Sequence, residues 1–270
     1  MPQYKIFDAH THAFPDKIAA QTMAVLSAKA NIPNLHNGTI EGLSAYERAG
    51  GSSGFLLLPI ATKPSNVRAA NEWAAAQAHN GVLSFGTLHP QSTTLQDDLR
   101  HAADLGVKGI KLHPEYQEFF VDEDRMLPLY EAVFALDLPI CFHAGEDLGF
   151  PPPIRGDARR IGAIAQRYPQ GKIIAAHMGG YRQYNVVLEH LAGRSNVWMD
   201  TSFAAEHMHA DEIVHLVHKH GAERFFFGTD APWAAFDLAK DALLRSGLND
   251  QELQCIFWNN AAAFFGLELL

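Results

Sequence analysis

The stretch Asp8-Ala9-His10-Thr11-His12 follows a short apolar run near the start of the chain. Side chains along a β-strand alternate between its two faces, so the imidazoles of His10 and His12 share one face. Two imidazoles directed at one point form half of a transition-metal site. We therefore expect a strand that delivers two metal ligands at its carboxyl end.

Further apolar runs follow along the chain, and most read as strands that are buried on both faces. Together with the first strand they are predicted at residues 4–8, 54–58, 82–88, 107–112, 139–142, 172–176, 196–199 and 224–228. Segments with helical spacing of apolar residues separate these runs. Strands that alternate with helices and number eight predict an α/β fold of the (β/α)8 TIM-barrel type.

The length of the chain agrees with this fold, because its 270 residues are close to the roughly 250 that one such barrel needs. No linker or low-complexity tract divides it, so we predict a single domain over residues 1–270. Residues 13–51 exceed one crossover helix and predict an insertion after strand 1, with helices at 16–30 and 39–49. A helix at 249–258 and the tail 259–270 are expected to close the floor or flank of the barrel.

Composition limits the partners and the location of the protein. The formal net charge of −9 argues against a nucleic-acid groove, which needs clustered Lys and Arg. No run reaches the roughly 18 apolar residues of a membrane span. Two cysteines and no signal-peptide pattern indicate a reduced, cytoplasmic protein. We expect a small-molecule substrate, with a homodimer as a further possibility.

Further candidate ligands follow later predicted strands. His143 ends strand 5, His177 ends strand 6, and Asp230 follows strand 8. The active sites of αβ-barrels lie at the carboxyl ends of the strands, so these residues should meet His10 and His12 at one mouth. Imidazole and carboxylate suit divalent metals, and we expect Zn²⁺ first, with Fe²⁺ or Mn²⁺ as alternatives.

At this point the chain resembles a known family over nearly its whole length. It is similar to the amidohydrolase superfamily, in the amidohydrolase-related branch that includes aminocarboxymuconate semialdehyde decarboxylase. The motifs that carry the resemblance are DAHTH (8–12), GIKLHP (109–114), LPICFHAG (138–145), AHMGG (176–180), DTS (200–202), FGTD (227–230) and the closing segment 260–267.

The resemblance implies roles for the strand-end residues. His10, His12, His143 and Asp230 would bind one metal ion, and His177 would be a general acid/base beside it. Asp230 would also accept a proton in hydrolytic relatives, which makes it catalytic as well. In two-metal relatives, His143 and His177 hold the second ion instead. One metal per chain is favoured.

Lys111 in predicted strand 4 has two interpretations. Where two metals are present, the family uses a carboxylated lysine on this strand as a bridge, and burial would favour the neutral amine that carboxylation requires. The alternative is a lysine that binds a substrate carboxylate or pairs with Glu115. The single-metal branch has no bridging lysine, so the second interpretation is favoured.

Other residues at the mouth are secondary candidates. His113, Glu115, Arg155 and Trp233 lie on loops after strands and are candidates for substrate contact, since an arginine can bind a carboxylate through two hydrogen bonds. Asp200 ends strand 7 and could orient a ligand histidine.

A second His-x-His pair occurs at His207 and His209, within a His-rich stretch. It lies in a polar loop and helix rather than at the end of an apolar strand, so we do not expect a native metal site there.

The function favoured by these residues is metal-assisted hydrolysis of an amide, lactone or ester bond in a small, carboxylate-bearing molecule. Non-oxidative decarboxylation is the alternative, because the same metal and His177 could protonate a substrate carbon. A barrel that binds a metal or ligand without turnover is disfavoured, because every expected ligand and the acid/base are present.

Overall fold

In the computed structural model, which describes residues 4–267, short parallel strands follow one another in chain order. Strands β1–β3 form one sheet and β4–β9 form another. The strands are β1 (Phe7–Thr11), β2 (Gly54–Leu57), β3 (Val82–Ser84), β4 (Gly86–Thr87), β5 (Ile110–Leu112), β6 (Ile140–Phe142), β7 (Ile173–Ala175), β8 (Val197–Asp200) and β9 (Phe225–Phe226).

Phe85 separates β3 from β4, where the sequence predicts one strand over residues 82–88. The backbone N–H of Phe85 donates to the carbonyl of Leu57 at 3.0 Å, whereas that of Gly86 donates to Gly109 at 2.8 Å. The chain changes its pairing partner at this residue. One predicted strand therefore appears as two segments in different sheets.

Backbone hydrogen bonds join the first strand to the chain after the last one. The N–H of Ala9 donates to Phe227 and that of His12 donates to Ala231, both at 2.8 Å. In return, the N–H of Asp230 donates to the carbonyl of His10 at 2.9 Å. The fold is the predicted α/β (β/α)8 barrel, and these bonds hold the two ends of the strand order together.

The helices match the predicted insertion and the predicted closing helix. Helices α1 and α2 occupy the insertion after β1, and the Asn249 side chain caps α10 by accepting from Gln251 and Glu252 N–H groups. The helices are α1 (Asp16–Ala30), α2 (Ile40–Gly50), α3 (Val67–Ala76), α4 (Leu95–Asp104), α5 (Leu127–Ala135), α6 (Ala158–Arg167), α7 (Tyr184–His190), α8 (Ala210–His220), α9 (Phe236–Leu244), α10 (Asp250–Gln254) and α11 (Asn260–Phe265).

The closing segment packs against the inner end of the barrel. Phe265 on α11 lies 6.1 Å from Phe7 and 5.3 Å from Phe226, measured between ring centroids. Trp258 meets Phe7 edge-on at 6.5 Å. Aromatic pairs at these separations add to the burial of apolar area. This confirms that the segment covers the floor, although residues 268–270 of the predicted tail lie outside the described residues.

Among residues 4–267, no helix is long and apolar enough to span a membrane.

A buried pair of carboxyl groups lies beneath the carboxyl end of β1. Glu47 on α2 is buried next to Asp8, and its carboxyl group interacts with the side chains of Asp8 and Ser52. Burial, and then the charge of Asp8, raise the pKa of Glu47 well above its ordinary value. Folding therefore opposes the ionisation of Glu47.

We predict that Glu47→Gln stabilises the protein. The pKa of Glu47 is higher in the folded protein than in the unfolded one, where it is about 4.3. The stability that the protonated carboxyl contributes at low pH is therefore lost as the pH rises from the unfolded-state pKa towards the folded-state pKa. At pH 8 the substitution should increase the free energy of unfolding by about 1–3 kcal/mol, with a smaller gain at pH 5. Urea unfolding at the two pH values measures this change. Glu41→Gln on the exposed side of α2 is the control, and an equal gain in both variants would refute the assignment.

Candidate metal centre

Three side chains converge at the carboxyl ends of the barrel strands. Asp230 Oδ1 lies 3.4 Å from His10 Nε2 and 3.2 Å from His12 Nε2. All three ligand atoms lie within 4.8 Å of one another. Two imidazoles and a carboxylate at this spacing are a donor set that Zn²⁺, Mn²⁺ and Fe²⁺ accept.

The backbone brings these donors together through Asp8. Its Oδ1 accepts the N–H of His10 at 3.0 Å and the N–H of Thr229 at 3.1 Å. These bonds tie the end of β1 to the loop that carries Asp230. Asp230 itself has a φ of +72°, a left-handed conformation that is uncommon for residues other than glycine. The loop is therefore held in a conformation that turns this carboxylate inward.

The hydrogen bonds on the far side of each imidazole decide which nitrogen faces Asp230 as a lone pair. His12 Nδ1 lies 2.9 Å from the carbonyl oxygen of Leu58, which can only accept, so Nδ1 carries the hydrogen. His10 Nδ1 lies 2.8 Å from Asp200 Oδ2 and is assigned the same way. In their neutral forms both rings then present an unprotonated Nε2 to a carboxylate. A cation stabilises buried acceptors that face one another, and these residues fit a divalent metal ion.

His10 is held in the neutral form that a metal ligand needs. Burial, and then the neighbouring Lys111 ammonium, lower the pKa of His10 to about 3. Asp200 stays charged: burial favours its neutral acid, but the interactions with His10, His177 and the Ser202 hydroxyl together outweigh burial and hold the pKa of Asp200 below its ordinary value. The pair is thus a neutral imidazole that donates to a fixed carboxylate.

His177 follows β7 with a φ of +59°, which turns its side chain into the barrel mouth. Its Nδ1 lies 3.1 Å from the carbonyl oxygen of Ser202 and therefore carries a hydrogen. Its Nε2 lies 3.0 Å from His143 Nδ1. The fixed Nδ1 leaves Nε2 as the nitrogen available for proton transfer.

His143 stands apart from the three converging donors. Its ring stacks on His113 with the centroids 4.3 Å apart and an angle of 12°. Its Nε2 lies 4.0 Å from Asp147 Oδ2, and it forms a separate group of possible ligands with His113 and Asp147. The expected role of His143 as a ligand of the first metal stays a prediction.

Lys111 on β5 is almost completely buried at the centre of the site. Its Nζ lies 3.2 Å from His10 Nε2 and 3.7 Å from Cys141 Sγ. Within residues 4–267, no carboxylate oxygen lies within 4.0 Å of this ammonium group. The ion pair with Glu115, one of the sequence-based alternatives, is therefore not formed.

A cavity of about 280 Å³ lies above these residues. Helix α1 of the insertion supplies one wall through side chains spaced four apart. Aromatic and aliphatic side chains make up most of the rest. The wall residues outside the polar cluster include Phe14, Ile18, Thr22, Leu26, Ala30, Ile60, Tyr116, Leu148, Tyr181, Phe203 and Trp233.

The secondary candidates divide into two groups. Lys111, His113 and Trp233 line the cavity. Within residues 4–267, Glu115 and Arg155 do not line the cavity. Glu115 Oε1 accepts the backbone N–H of Arg155 at 2.9 Å, and the Arg155 guanidinium lies over the Phe120 ring, 5.7 Å from its centroid. These two residues shape the loops behind the wall.

Three polar residues at the site were not singled out from the sequence. Ser202 contacts both His10 and His177, with its hydroxyl 3.1 Å and 3.0 Å from their Nδ1 atoms. Asp147 lies on the loop after β6 beside His113 and His143. Burial, followed by the charge of Asp230, raises the pKa of Glu206 to about 7. Only Ser202, within the DTS motif, carried a signal in the sequence.

The chain shares the sequence pattern of a known family. The sequence pattern of the family described as amidohydrolase matches residues 7–267. The chain belongs to the amidohydrolase family. Among curated proteins, no sequence match is found. Membership and the His–His–Asp donor set together support an enzyme with a divalent-metal site.

Solved structures share the fold at low sequence identity. One is 5-carboxyvanillate decarboxylase from Novosphingobium aromaticivorans in complex with manganese, with a TM-score of 0.71, 17% identity and coverage of 98% of this chain and 96% of that one. Another is 2,6-dihydroxybenzoate decarboxylase from Rhizobium, with a TM-score of 0.70, 18% identity and coverage of 98% of this chain and 99% of that one. A third is a proposed 2-pyrone-4,6-dicarboxylic acid hydrolase from Pseudomonas putida, with a TM-score of 0.66, 18% identity and coverage of 100% of both chains. At these identities the likeness shows the fold alone.

We predict that Asp200→Asn weakens metal binding about 10- to 100-fold. The amide oxygen can still accept the N–H groups of His177 and Ser202. The amide NH₂ group would then face the Nδ1–H of His10, so that two donors would meet where a donor and an acceptor meet now. That ring would then lose its orientation. Equilibrium dialysis against Mn²⁺ measures the change, with Asp137→Asn on an exposed turn as the control. Unchanged affinity in Asp200→Asn would remove its orienting role.

Proposed function

We propose that this protein is a metal-dependent, non-oxidative decarboxylase of a small aromatic carboxylic acid. The observation that carries the proposal is Lys111. Its ammonium group is buried beside His10, with no carboxylate within 4.0 Å in residues 4–267. Its hydrogen-bond partners, His10 and Cys141, carry no negative charge, and a buried charge without an opposite charge is costly, so the site favours an anion from outside the chain.

A substrate carboxylate supplies that anion at the reacting centre. In decarboxylation the group that leaves is the carboxylate itself, and the substrate therefore brings its charge to Lys111 before any bond breaks. In hydrolysis of an amide or ester the reacting carbonyl is neutral in the bound substrate. Lys111 thus suits a reaction whose ground state is already anionic at this position.

The cavity supports an aromatic body for the substrate. Phe14, Tyr116, Tyr181, Phe203 and Trp233 contribute rings to its wall. Aromatic side chains pack favourably against a flat ring, in stacked or edge-to-face arrangements. A cavity of about 280 Å³ suits a molecule of one substituted ring.

Two of the structures described above are decarboxylases of hydroxylated aromatic acids, and they support the same chemistry here. The sequence alone favours hydrolysis, with decarboxylation as the alternative. The environment of Lys111 and these relatives favour the second reading. Hydrolysis remains the competing function, because the third relative is a proposed hydrolase of a cyclic dicarboxylic acid.

His10, His12 and Asp230 would hold the metal ion, which supplies positive charge that binds substrate oxygens and stabilises developing negative charge. The manganese in one relative makes Mn²⁺ the first ion to test beside the expected Zn²⁺.

The chain's own residues would bind the acid and move one proton. Lys111 holds the carboxylate, and the aromatic wall excludes water from the ring. His177 takes up a proton at Nε2 and delivers it to the ring carbon that bears the carboxylate, while its Nδ1–H stays on the Ser202 carbonyl. The electrons of the bond to the carboxylate then return to the ring as carbon dioxide leaves. The sum is one carboxylate and one proton consumed, with one arene and one carbon dioxide formed.

We expect the protein loaded with Mn²⁺ or Zn²⁺ to release carbon dioxide from at least one hydroxylated benzoic acid. The panel includes 2,6-dihydroxybenzoate and 5-carboxyvanillate, with carbon dioxide and loss of substrate absorbance followed together. The comparison substrate is 2-pyrone-4,6-dicarboxylate. Release of a titratable acid from the pyrone, without carbon dioxide from any substrate, would favour hydrolysis and reject the proposal.

We further predict that His177→Asn lowers kcat about 10²- to 10⁴-fold while metal content stays unchanged, because only the proton donor is lost. Lys111→Met should instead raise KM most strongly, because it removes the partner of the substrate carboxylate. Lys172→Met, at an exposed lysine paired with Asp137, is the matched control. Full activity in His177→Asn would exclude it as the acid.

A further inference from the structure

Helix α1 crosses the mouth of the barrel. It begins at Asp16, shortly after His12 at the end of β1. Near its other end, Lys29 Nζ lies 3.3 Å from the ring centroid of Phe150 and 4.8 Å from that of Tyr116. Tyr116 follows β5 and Phe150 follows β6. The helix therefore reaches from the end of β1 to the loops on the opposite side of the site.

Only a narrow strip of α1 packs against the rest of the protein. Of its 15 residues, Ala19 and Met23 alone are buried. Met23 fits so closely against Gly38 that a Cβ atom at that glycine would have no room. These contacts anchor one side of the helix. The apolar side chains beside this strip are not part of the core.

The cavity-facing row of α1 consists of Ile18, Thr22, Leu26 and Ala30, spaced four residues apart. Twelve residues separate its ends, and a helix rises 1.5 Å per residue, so the row extends over about 18 Å. A benzoic acid is much shorter than this wall. The cavity therefore offers more apolar length than a single ring with its carboxylate can contact.

Charge is distributed unevenly around the cavity. Its charged and titratable side chains come from the strand ends and loops of the barrel, with Lys111 and Asp230 among them. Among the described residues that line it, none from α1 or from the segment 32–66 carries a charge. That segment contributes Ile32, Ile60, Thr62 and Asn66. The cavity thus has a charged floor and an uncharged side, which suits a ligand with a charged head and an apolar tail.

Two large apolar side chains at this mouth are exposed. Ile18 is 42% exposed and Leu148 is 38% exposed, and both line the cavity. Neighbouring apolar side chains that remain accessible at a cavity are typical of a ligand-binding groove. Both are aliphatic, whereas the rings that suit the aromatic body of the acid lie elsewhere on the wall.

We propose that the acid decarboxylated at this site carries an alkyl substituent, opposite its carboxylate, that lies along the cavity-facing row of α1. With the carboxylate at Lys111 on the floor, the far carbon of the ring points towards the helix. The substituent would contact Ile18, Leu26 and Leu148 and remove them from water. This inference rests on the proposed function, because Lys111 fixes the orientation of the acid.

The test compares 2,6-dihydroxybenzoate with its 4-ethyl, 4-butyl and 4-hexyl derivatives on the full chain loaded with Mn²⁺. Carbon 4 lies opposite the carboxylate. We expect kcat/KM for carbon dioxide release to rise about three- to fourfold for each methylene that leaves water, mainly through a lower KM. The rise should end where the chain outgrows the row.

Substitutions on α1 locate the alkyl chain. Leu26→Ser should lower the ratio of kcat/KM for the hexyl and unsubstituted acids about 5- to 10-fold, because it removes apolar contact. Ala30→Trp narrows the cavity and should lower the ratio as well. Val25→Ser, at a neighbouring side chain that is 56% exposed, is the matched control and should keep it. A general loss of folded protein lowers both rates together and leaves the ratio unchanged.

The outcomes separate this inference from the proposed function. Equal kcat/KM for all four acids, or a ratio that neither Leu26→Ser nor Ala30→Trp changes, would overturn the inference while the decarboxylase assignment stands. If no acid releases carbon dioxide, the proposed function fails, and calorimetric affinities for the same acids test the row by itself. Tighter binding of the hexyl acid that depends on Leu26 would then support its role, and equal affinities would reject it.

Discussion

The contact between Asp200 and His10 fixes the site on which the other interactions depend. Asp200 Oδ2 lies 2.8 Å from His10 Nδ1, and Oδ1 accepts the backbone N–H groups of His177 at 3.0 Å and Ser202 at 3.2 Å. One buried carboxylate thus positions residues at the ends of β1, β7 and β8. Three N–H donors and the Ser202 hydroxyl offset the desolvation of its charge, which is why it can be ionised inside the barrel.

A hydrogen bond at Nδ1 orients each of the three histidines at the site. His10, His12 and His177 all direct Nδ1 at an oxygen that accepts: the Asp200 carboxylate, the Leu58 carbonyl and the Ser202 carbonyl. Each neutral ring is thereby held in one tautomer, with Nε2 turned to the mouth. The protein uses backbone and buried acceptors to choose which nitrogen performs chemistry.

The sequence could predict the strand-end residues because the barrel places the carboxyl ends of all its strands on one face. The same His-x-His pattern occurs at His207 and His209, but no apolar strand precedes it. His207 ends a short 3₁₀-helix and packs on Phe203 with the ring centroids 5.2 Å apart. Asp147 could not be found this way. Its position depends on the loop after β6, where Gly145 has a φ of +86°, and loop conformation leaves no periodic signal.

The change of pairing partner at Phe85 could not be predicted from the sequence for a related reason. An apolar run reports burial, but it does not report where a strand exchanges one neighbour for another. Likewise, the burial of Glu47 beside Asp8 depends on how α2 docks against the barrel. Spacing along the helix shows which face is apolar, but it does not show which strand end that face will cover.

The insertion supplies apolar side chains to the cavity, and the barrel strands supply the charged and titratable ones. Helix α1 turns Ile18, Thr22 and Leu26 towards the cavity, and Ile18 remains 42% exposed. These side chains face open volume rather than a core, so they offer apolar contact to a ligand. Decarboxylation converts a localised anion into neutral carbon dioxide. In the proposed reaction, an apolar wall above a few fixed charges would therefore disfavour the bound acid more than its products, and the barrel residues would supply the charges and the proton.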